Sequence, residues 1–294
     1  MRKYLLSLFL ILVISISIGC TSNNSNKNGK VIVYATLSPQ KEMIEAVGGD
    51  KVSVNILVPQ GGDPHTADIK PSQLAELSKA KLYVMIGSGI EFELKSIEKI
   101  RDLNKNMYVF DSSKGIELID ISEHEHEEIN VEHETGKDPH IWTSIRNGKI
   151  MVQNICEGLV AVDPDNKDYY LKNRDEYLRQ LDEADQFITN QLRDMPNRSF
   201  MIFHPSWGYF AKDYNLTQIA IEVEGKEPTL QSLAHIIEEA KEENIKTIFV
   251  SPGFSSKAAG IITKEIGGKT EVLDPLAENY IENLKITAIK IKNQ

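Results

Sequence analysis

The sequence predicts an α/β protein with two lobes, each a mostly parallel sheet flanked by helices, joined by one long rigid helix. Short β-branched runs alternate with helical patterns in both halves of the chain, which is typical of βαβ units and parallel sheets. Between the halves lies a much longer helical pattern. The chain has 294 residues, enough for two domains of ordinary size.

In the first half, residues 31–162, apolar runs alternate with amphipathic segments. The helical pattern SPQKEMIEAVGG ends at Gly48 and Gly49, and a shorter one covers QLAELSKA. A Pro/Gly-rich loop, PQGGDPHTADIKP, follows the second strand. The predicted strands are Val31–Tyr34, Val52–Val58, Leu82–Ile86 and Met107–Phe110.

The second half, residues 196–294, repeats this alternation. One helix is predicted to start near Thr229, and another starts near Ser255 and ends at paired glycines. These patterns leave the order of the strands within each sheet open. The predicted strands are Ser199–Phe203, Thr217–Ile221, Thr247–Val250 and Thr270–Leu273.

Residues 163–195 carry the predicted linking helix. Asp163 is a suitable N-cap and Pro164 takes the first helical position. About 30 residues of helix would be about 45 Å long, which suits a rigid connection across two lobes. Helical spacing places six residues on one face: Tyr170, Tyr177, Leu181, Ala184, Ile188 and Leu192.

The first residues predict export. Arg2 and Lys3 precede an uncharged apolar run, Tyr4–Ile18, which is shorter than the roughly 20 residues of a membrane span and typical of a signal peptide, residues 1–19. Cys20 is predicted to be lipidated, with 20–30 as a flexible tether at the extracytoplasmic face of the cell membrane. Ser17 departs from the usual Leu or Ile, so a plain cleaved signal and a secreted or periplasmic protein are the alternative.

The net charge argues against a nucleic-acid-binding protein, and the cysteine content argues against a disulfide-bonded one. The formal net charge is −10, which argues against nucleic acid and is compatible with attracting cations. The second cysteine, Cys156, has no partner if Cys20 carries lipid, so no disulfide is expected. Cys156 is interpreted as a small buried hydrophobic residue.

Four residues that can bind a metal lie at or near predicted strand ends. His65 and His204 follow strands, Asp274 directly follows the last strand, and His140 precedes a helix that begins near Thr143. Parallel α/β sheets place binding loops at the carboxyl ends of their strands. Three imidazoles and one carboxylate would complete the four-coordinate shell that zinc prefers. From spacing alone, hydrogen-bonded surface histidines and Asp-Pro turns remain an alternative.

Several segments in order resemble the solute-binding proteins of zinc and manganese ABC importers: PQGGDPHTADIKPSQLAEL, DPHIW, FHPSWGYFAKDYNL, EPTLQSL and VLDPLAENY. The resemblance runs from about Val31 to the C-terminus. It implies two α/β lobes joined by a rigid helix, a membrane permease and an ATPase as partners, and metal binding by His65, His140, His204 and Asp274. Thr143-Ser144-Ile145 and Ser251-Pro252-Gly253 depart from the family pattern without replacing a ligand.

Zinc is the predicted cargo. The resemblance implies that manganese-carrying members tend to have Glu at the third ligand position, where this chain has His204. Imidazole suits zinc, whereas oxygen ligands suit manganese. Manganese or iron remains an alternative, because Asp274 could bind through both oxygens and raise the coordination number.

Residues 121–138 form an acidic segment that contains His124, His126 and His133. One interpretation is a solvated loop, and the other is an auxiliary zinc-binding loop beside the main site. The family resemblance supports the second interpretation, because zinc-type relatives carry a His-rich loop at this place.

Other residues near the predicted ligands are expected to support them. Glu222 and Glu224 could hydrogen-bond to a ligand imidazole, while His235 in the middle of a helix is expected to be structural. Four aromatic residues are predicted to shield and orient the site: Trp142, Trp207, Tyr209 and Phe210.

These residues favour a binding protein over an enzyme. A catalytic zinc keeps one position open for water, whereas four protein ligands leave none, and the sequence has neither an HExxH motif nor an evident catalytic triad. A secreted zinc hydrolase is the rival hypothesis, and a zinc-bound water in place of Asp274 would favour it. A surface adhesin or a metallochaperone would use the same site with a different partner.

Overall fold

The computed structural model describes residues 29–121, 136–222, 226–254 and 257–294. Its first sheet contains four parallel strands: β1 (Val31–Leu37), β2 (Val52–Val58), β3 (Leu82–Met85) and β4 (Tyr108–Asp111). Their order is β2-β1-β3-β4. The helices of this half are α1 (Pro39–Gly48), α2 (Pro71–Leu77), α3 (Glu91–Leu103) and α4 (Ile145–Val162).

A single long helix, α5 (Lys167–Leu192), follows and spans 26 residues, or about 39 Å. Its buried residues are the six that the spacing predicts: Tyr170, Tyr177, Leu181, Ala184, Ile188 and Leu192. Asp163 is the N-cap of the 3-10 turn Pro164–Asn166, which leads directly into α5, and Pro164 takes the first position of that turn, as the sequence predicts. The side chain of Asp163 accepts a hydrogen bond from the hydroxyl of Tyr170 at 2.6 Å.

The second sheet also has four parallel strands: β5 (Ser199–Ile202), β6 (Thr217–Ala220), β7 (Thr247–Val250) and β8 (Lys269–Val272). Its order, β6-β5-β7-β8, repeats that of the first sheet. The accompanying helices are α6 (Gly208–Asp213), α7 (Leu230–Glu242), α8 (Lys257–Ile266) and α9 (Tyr280–Lys292). Two parallel sheets flanked by helices and connected by a long helix confirm the predicted fold class.

The core does not divide cleanly between the two halves. Although α9 comes last in the sequence, it packs against α5 and α1. Tyr280 at its start is buried and donates a hydrogen bond to the backbone carbonyl of Ser144 at 2.8 Å. A smaller separate cluster lies under α7 and α8 and includes Leu233, Ile236 and Ile262.

The connections after the strands bring both sheets to the same region. The segment after β2, the segment before α4 and the segment after β5 all contribute to one pocket between the sheets. Among the described residues, none of the helices combines the length and the apolar character needed to cross a bilayer.

Candidate metal centre

Three imidazole rings meet in the pocket between the two sheets. Nε2 of His140 lies 3.3 Å from Nε2 of His65 and 3.2 Å from Nε2 of His204. The three ring centroids are 5.1 to 5.3 Å apart. A tetrahedral zinc ion with Zn–N bonds of about 2.0–2.1 Å places its ligand atoms about 3.3–3.4 Å apart. The nitrogen separations of 3.2 and 3.3 Å in the structure are close to this spacing.

Each histidine is positioned by a different part of the fold. His65 follows β2, His204 follows β5, and His140 lies directly before the 3-10 turn Ile141–Thr143 that leads into α4. The structure therefore brings together three of the four residues that the sequence predicts as ligands. His65 and His204 lie in loops that follow parallel strands, and such sheets place their binding loops at the carboxyl ends of the strands.

A carboxylate binds the far side of every ring. The pairs are His65 Nδ1 with Glu91 Oε2 at 2.7 Å, His140 Nδ1 with Asp138 Oδ1 at 2.7 Å, and His204 Nδ1 with Glu222 Oε1 at 2.5 Å. A carboxylate accepts a hydrogen bond but cannot donate one when ionised. Each Nδ1 is therefore the protonated nitrogen, and the lone pair of each Nε2 is free to face a cation.

The tripeptide Asp-Pro-His occurs twice, at 63–65 and 138–140, and its aspartate acts differently in each copy. In both copies it accepts the backbone N–H of the histidine, at 2.9 Å for Asp63 and 2.8 Å for Asp138. Only Asp138 also holds the ring of its own histidine. In the first copy Glu91, from the first turn of α3, takes that role.

The three rings differ in exposure. His140 and His204 are 5% and 7% exposed, whereas the His65 side chain is 22% exposed. Burial lowers the pKa of His140, and the neighbouring Asp138 only partly offsets this effect. His140 is therefore neutral near pH 7, which is the form that binds metals.

Aromatic side chains enclose the rings. Phe254 stacks on His204 with centroids 4.2 Å apart and planes 14° apart. Trp142 lies edge-on to His140 at 5.3 Å and donates a hydrogen bond to the carbonyl of Pro275 at 2.7 Å. Tyr209 donates to the backbone carbonyl of Asp138 at 2.8 Å, and Trp207 packs edge-on against Phe210. Trp142 and Phe254 therefore pack directly against imidazoles, whereas Trp207 and Phe210 pack against each other.

Asp274 lines the same pocket as His140 and His204 but stands apart from the close group of three histidines. Its Oδ2 accepts a hydrogen bond from Nε2 of Gln60 at 2.6 Å, and its Oδ1 accepts one from the backbone N–H of Leu276 at 2.9 Å. Its role as a ligand stays a prediction.

The remaining sequence predictions have different outcomes. The hydrogen bond expected from Glu222 to a ligand ring is present, and His235 lies on α7, away from the triad. Several predicted residues lie outside the described part of the chain: Cys20, His124, His126, His133 and Glu224.

Sequence reasoning missed Glu91 and Asp138 as partners of the rings. Asp138 could have been recognised from the sequence, because an aspartate side chain often accepts the backbone N–H of the residue two positions later. No local sequence pattern points to Glu91, since it lies 26 positions after His65.

The chain is similar in sequence and fold to known proteins of zinc uptake. Residues 33–294 match the family model described as zinc-uptake complex component A, periplasmic. The high-affinity zinc uptake system protein ZnuA of Bacillus subtilis (strain 168) is 34% identical over 280 residues, covering 92% of this chain and 88% of its own. A crystal structure of ZnuA superposes with a TM-score of 0.84 at 42% identity, covering 90% of this chain and 98% of the other.

A second solved structure extends the likeness. The metal-dependent lipoprotein YcdH from Bacillus subtilis has a TM-score of 0.73 at 31% identity, and the match covers 90% of this chain and 99% of that one. Since all of these matches include both sheets, they concern the whole described architecture.

Proposed function

We propose, given that the chain belongs to the family of zinc-uptake complex component A, that His65, His140 and His204 bind Zn²⁺ through Nε2. Asp274 is proposed as the fourth ligand. The observation that carries this proposal is the spacing of 3.2 and 3.3 Å between Nε2 atoms with each opposite nitrogen bound to a carboxylate. Such carboxylate–histidine pairs are typical of metal sites.

The protein is the extracytoplasmic zinc-binding component of an ABC importer, and zinc is its cargo. Three nitrogen donors suit zinc better than manganese. Binding rather than catalysis follows from the proposed ligand set, because Asp274 would occupy the position that a catalytic zinc leaves to water. An ordered water in place of Asp274 on the bound ion would instead favour a hydrolase.

Capture requires little rearrangement of the imidazoles. The rings already have their Nε2 atoms at ligand spacing, and each ring is held on its other side, so little conformational entropy is lost on binding. The adjustment falls on Asp274, which must approach the triad from the second half of the chain. Because α9, at the end of the second half, packs against α5 and α1, we expect small lobe movements rather than wide hinge closure.

The anchor and the partners are proposed from sequence. Lipidation at Cys20 would keep the protein at the outer face of the cell membrane, where a permease and its ATPase would receive the ion. A Cys20→Ser variant should then appear in the soluble fraction, and the variant should still bind zinc. Retention of the variant in the membrane fraction would contradict a lipid anchor.

The acidic segment 121–138 is proposed as an auxiliary zinc-binding loop through His124, His126 and His133. Replacing all three histidines by alanine should remove weak zinc binding beyond the first equivalent. The tight equivalent should remain, because the triad that we assign to it uses other residues. Unchanged stoichiometry at high zinc would argue for a merely solvated loop.

The proposed site is tested directly by His204→Ala. Loss of a ligand should weaken zinc binding by more than the 10- to 100-fold that is typical of residues supporting a ligand. Competition against a chelator measures the affinity, and circular dichroism checks the fold. His235→Ala is the matched control, because it removes an exposed imidazole from α7. Wild-type affinity in His204→Ala would remove His204 from the site.

A further inference from the structure

A tight turn places Gln60 at the edge of the metal pocket. The backbone N–H of Gly62 donates to the carbonyl of Pro59 at 2.9 Å, and Gly61 has φ of +80°. This combination is typical of a type II turn, which requires a positive φ at its third residue. The sequence Pro-Gln-Gly-Gly therefore presents Gln60 at the second position of the turn, where its side chain is exposed.

The side chain of Gln60 crosses from the first half of the chain to the second. Its Nε2 donates to Oδ2 of Asp274 at 2.6 Å. The other carboxylate oxygen accepts the backbone N–H of Leu276 at 2.9 Å, and the backbone carbonyl of Asp274 accepts Nδ2 of Asn283 at 2.7 Å. Each carboxylate oxygen of Asp274 therefore accepts one hydrogen bond.

The turn is also close to the backbone of the opposite half. Gly253 has φ of +86°, and a Cβ built on it would lie 3.3 Å from the carbonyl oxygen of Gly61. Gly61, Phe254 and Asp274 line the same pocket. The approach of the two loops keeps Gln60 within reach of Asp274.

We infer that Gln60 is a specificity-determining residue that restricts Asp274 to binding a metal through one oxygen. This inference rests on the proposed role of Asp274 as the fourth ligand. Zinc completes a tetrahedral shell with one oxygen beside three imidazoles. Manganese prefers a higher coordination number with more oxygen donors, so it gains most when both oxygens of Asp274 are available. The Gln60 hydrogen bond thus favours zinc over manganese.

The test compares zinc and manganese affinities of the full mature chain in Gln60→Ala, by chelator competition. We expect manganese to bind about three- to tenfold more tightly, in line with the typical net free energy of one solvent-exposed hydrogen bond. Zinc affinity should change by less than about twofold. Cobalt offers a second readout, because four-coordinate Co²⁺ absorbs visible light more strongly than ions with more ligands, and the variant should absorb less.

Gln180→Ala is the matched control. Gln180 is also an exposed glutamine that donates to a carboxylate, Glu176, but it lies on α5. Its removal should leave both affinities unchanged. An unaltered ratio of the zinc and manganese affinities in Gln60→Ala overturns the inference.

Asp274→Ala separates this inference from the proposed function. If Asp274→Ala binds zinc as tightly as the wild type, the fourth ligand is wrongly assigned, and the inference about Gln60 fails with it. If Asp274→Ala weakens zinc binding while Gln60→Ala leaves the metal ratio unchanged, only the inference fails. In the Asp274→Ala background, Gln60→Ala should have no effect on either metal, and a remaining effect would contradict action through Asp274.

Discussion

Oε1 of Glu222 lies 2.5 Å from Nδ1 of His204, on the side of the ring opposite the nitrogen that faces His140. Glu222 is 6% exposed, so little water competes for this hydrogen bond. The contact fixes which nitrogen carries the proton and strengthens the other nitrogen as a donor to a metal.

Glu222→Gln should therefore weaken zinc binding by about tenfold, at the lower end of the range for such supporting residues. The amide keeps the shape of the side chain but removes its charge. Chelator competition measures the effect, and Glu227→Gln, at an exposed position close in sequence, is the control. Equal zinc affinities of the two variants would show that the Glu222 charge does not support His204.

Gly208 at the start of α6 lies against the carboxylate that holds His140. A Cβ at this position would lie 2.6 Å from Oδ2 of Asp138, which is too close for the present arrangement. Gly208→Ala should therefore displace Asp138 and weaken zinc binding several-fold, although alanine favours a helix by about 1 kcal/mol.

Gly260→Ala in α8 is the control for this substitution, because a Cβ there meets no atom within 4 Å. It should raise the free energy of unfolding and leave zinc affinity unchanged. Isothermal titration calorimetry with zinc measures the affinity of both variants. Unchanged affinity in Gly208→Ala would mean that Asp138 can shift without disturbing His140.

The burial of His140 predicts a pH dependence of stability in the metal-free protein. Its pKa is lowered in the folded state mainly by burial, whereas the unfolded chain takes up the proton near pH 6.5. As pH falls through about 6.5, the unfolded state binds more protons, and the free energy of unfolding decreases until the lower folded pKa is reached.

Urea unfolding at pH 7.5 and 5.5 measures this effect. In His140→Asn the titrating group is absent, so the decrease on acidification should be smaller than in the wild type. An equal decrease in both proteins would assign the acid sensitivity to other groups.

Leu181 tests the importance of the buried face of α5. The side chain is fully buried, and Leu181→Ala should lower the free energy of unfolding by about 2–5 kcal/mol through lost contacts and a cavity. Leu94→Ala, at a side chain 67% exposed, should change it by less than about 0.5 kcal/mol. Denaturant midpoints of the two variants give the comparison, and similar values would contradict a structural role for this face.

Much of the architecture could be predicted from local patterns. The bounds of β2 and β7 match the predicted ones, and the six buried residues of α5 follow from helical spacing. The sequence places His65 and His204 each at the carboxyl edge of its own parallel sheet. That these two edges face each other depends on how the two halves pack, which no local pattern shows.

Other features depend on tertiary packing and leave no local pattern. The strand order β2-β1-β3-β4 is set by how the crossover helices pack. The bond from Glu91 to His65 requires α3 to dock beside a loop 26 residues earlier. The hydrogen bond from Gln60 to Asp274 joins residues that are 214 positions apart in sequence. Helix α9 shares its packing with α1, at the other end of the described chain.

Because the last helix, α9, packs against α1, folding of the first half depends on the end of the chain. The apolar surface of α1 and α5 that Tyr280 and Leu284 cover stays open to solvent until residues near 280–292 arrive. Contacts so distant in sequence form slowly, because a long loop must close first. A chain that crosses a membrane from its amino end would therefore complete its first lobe only after nearly all of it has emerged, and until then the uncovered surface is a target for chaperones and proteases.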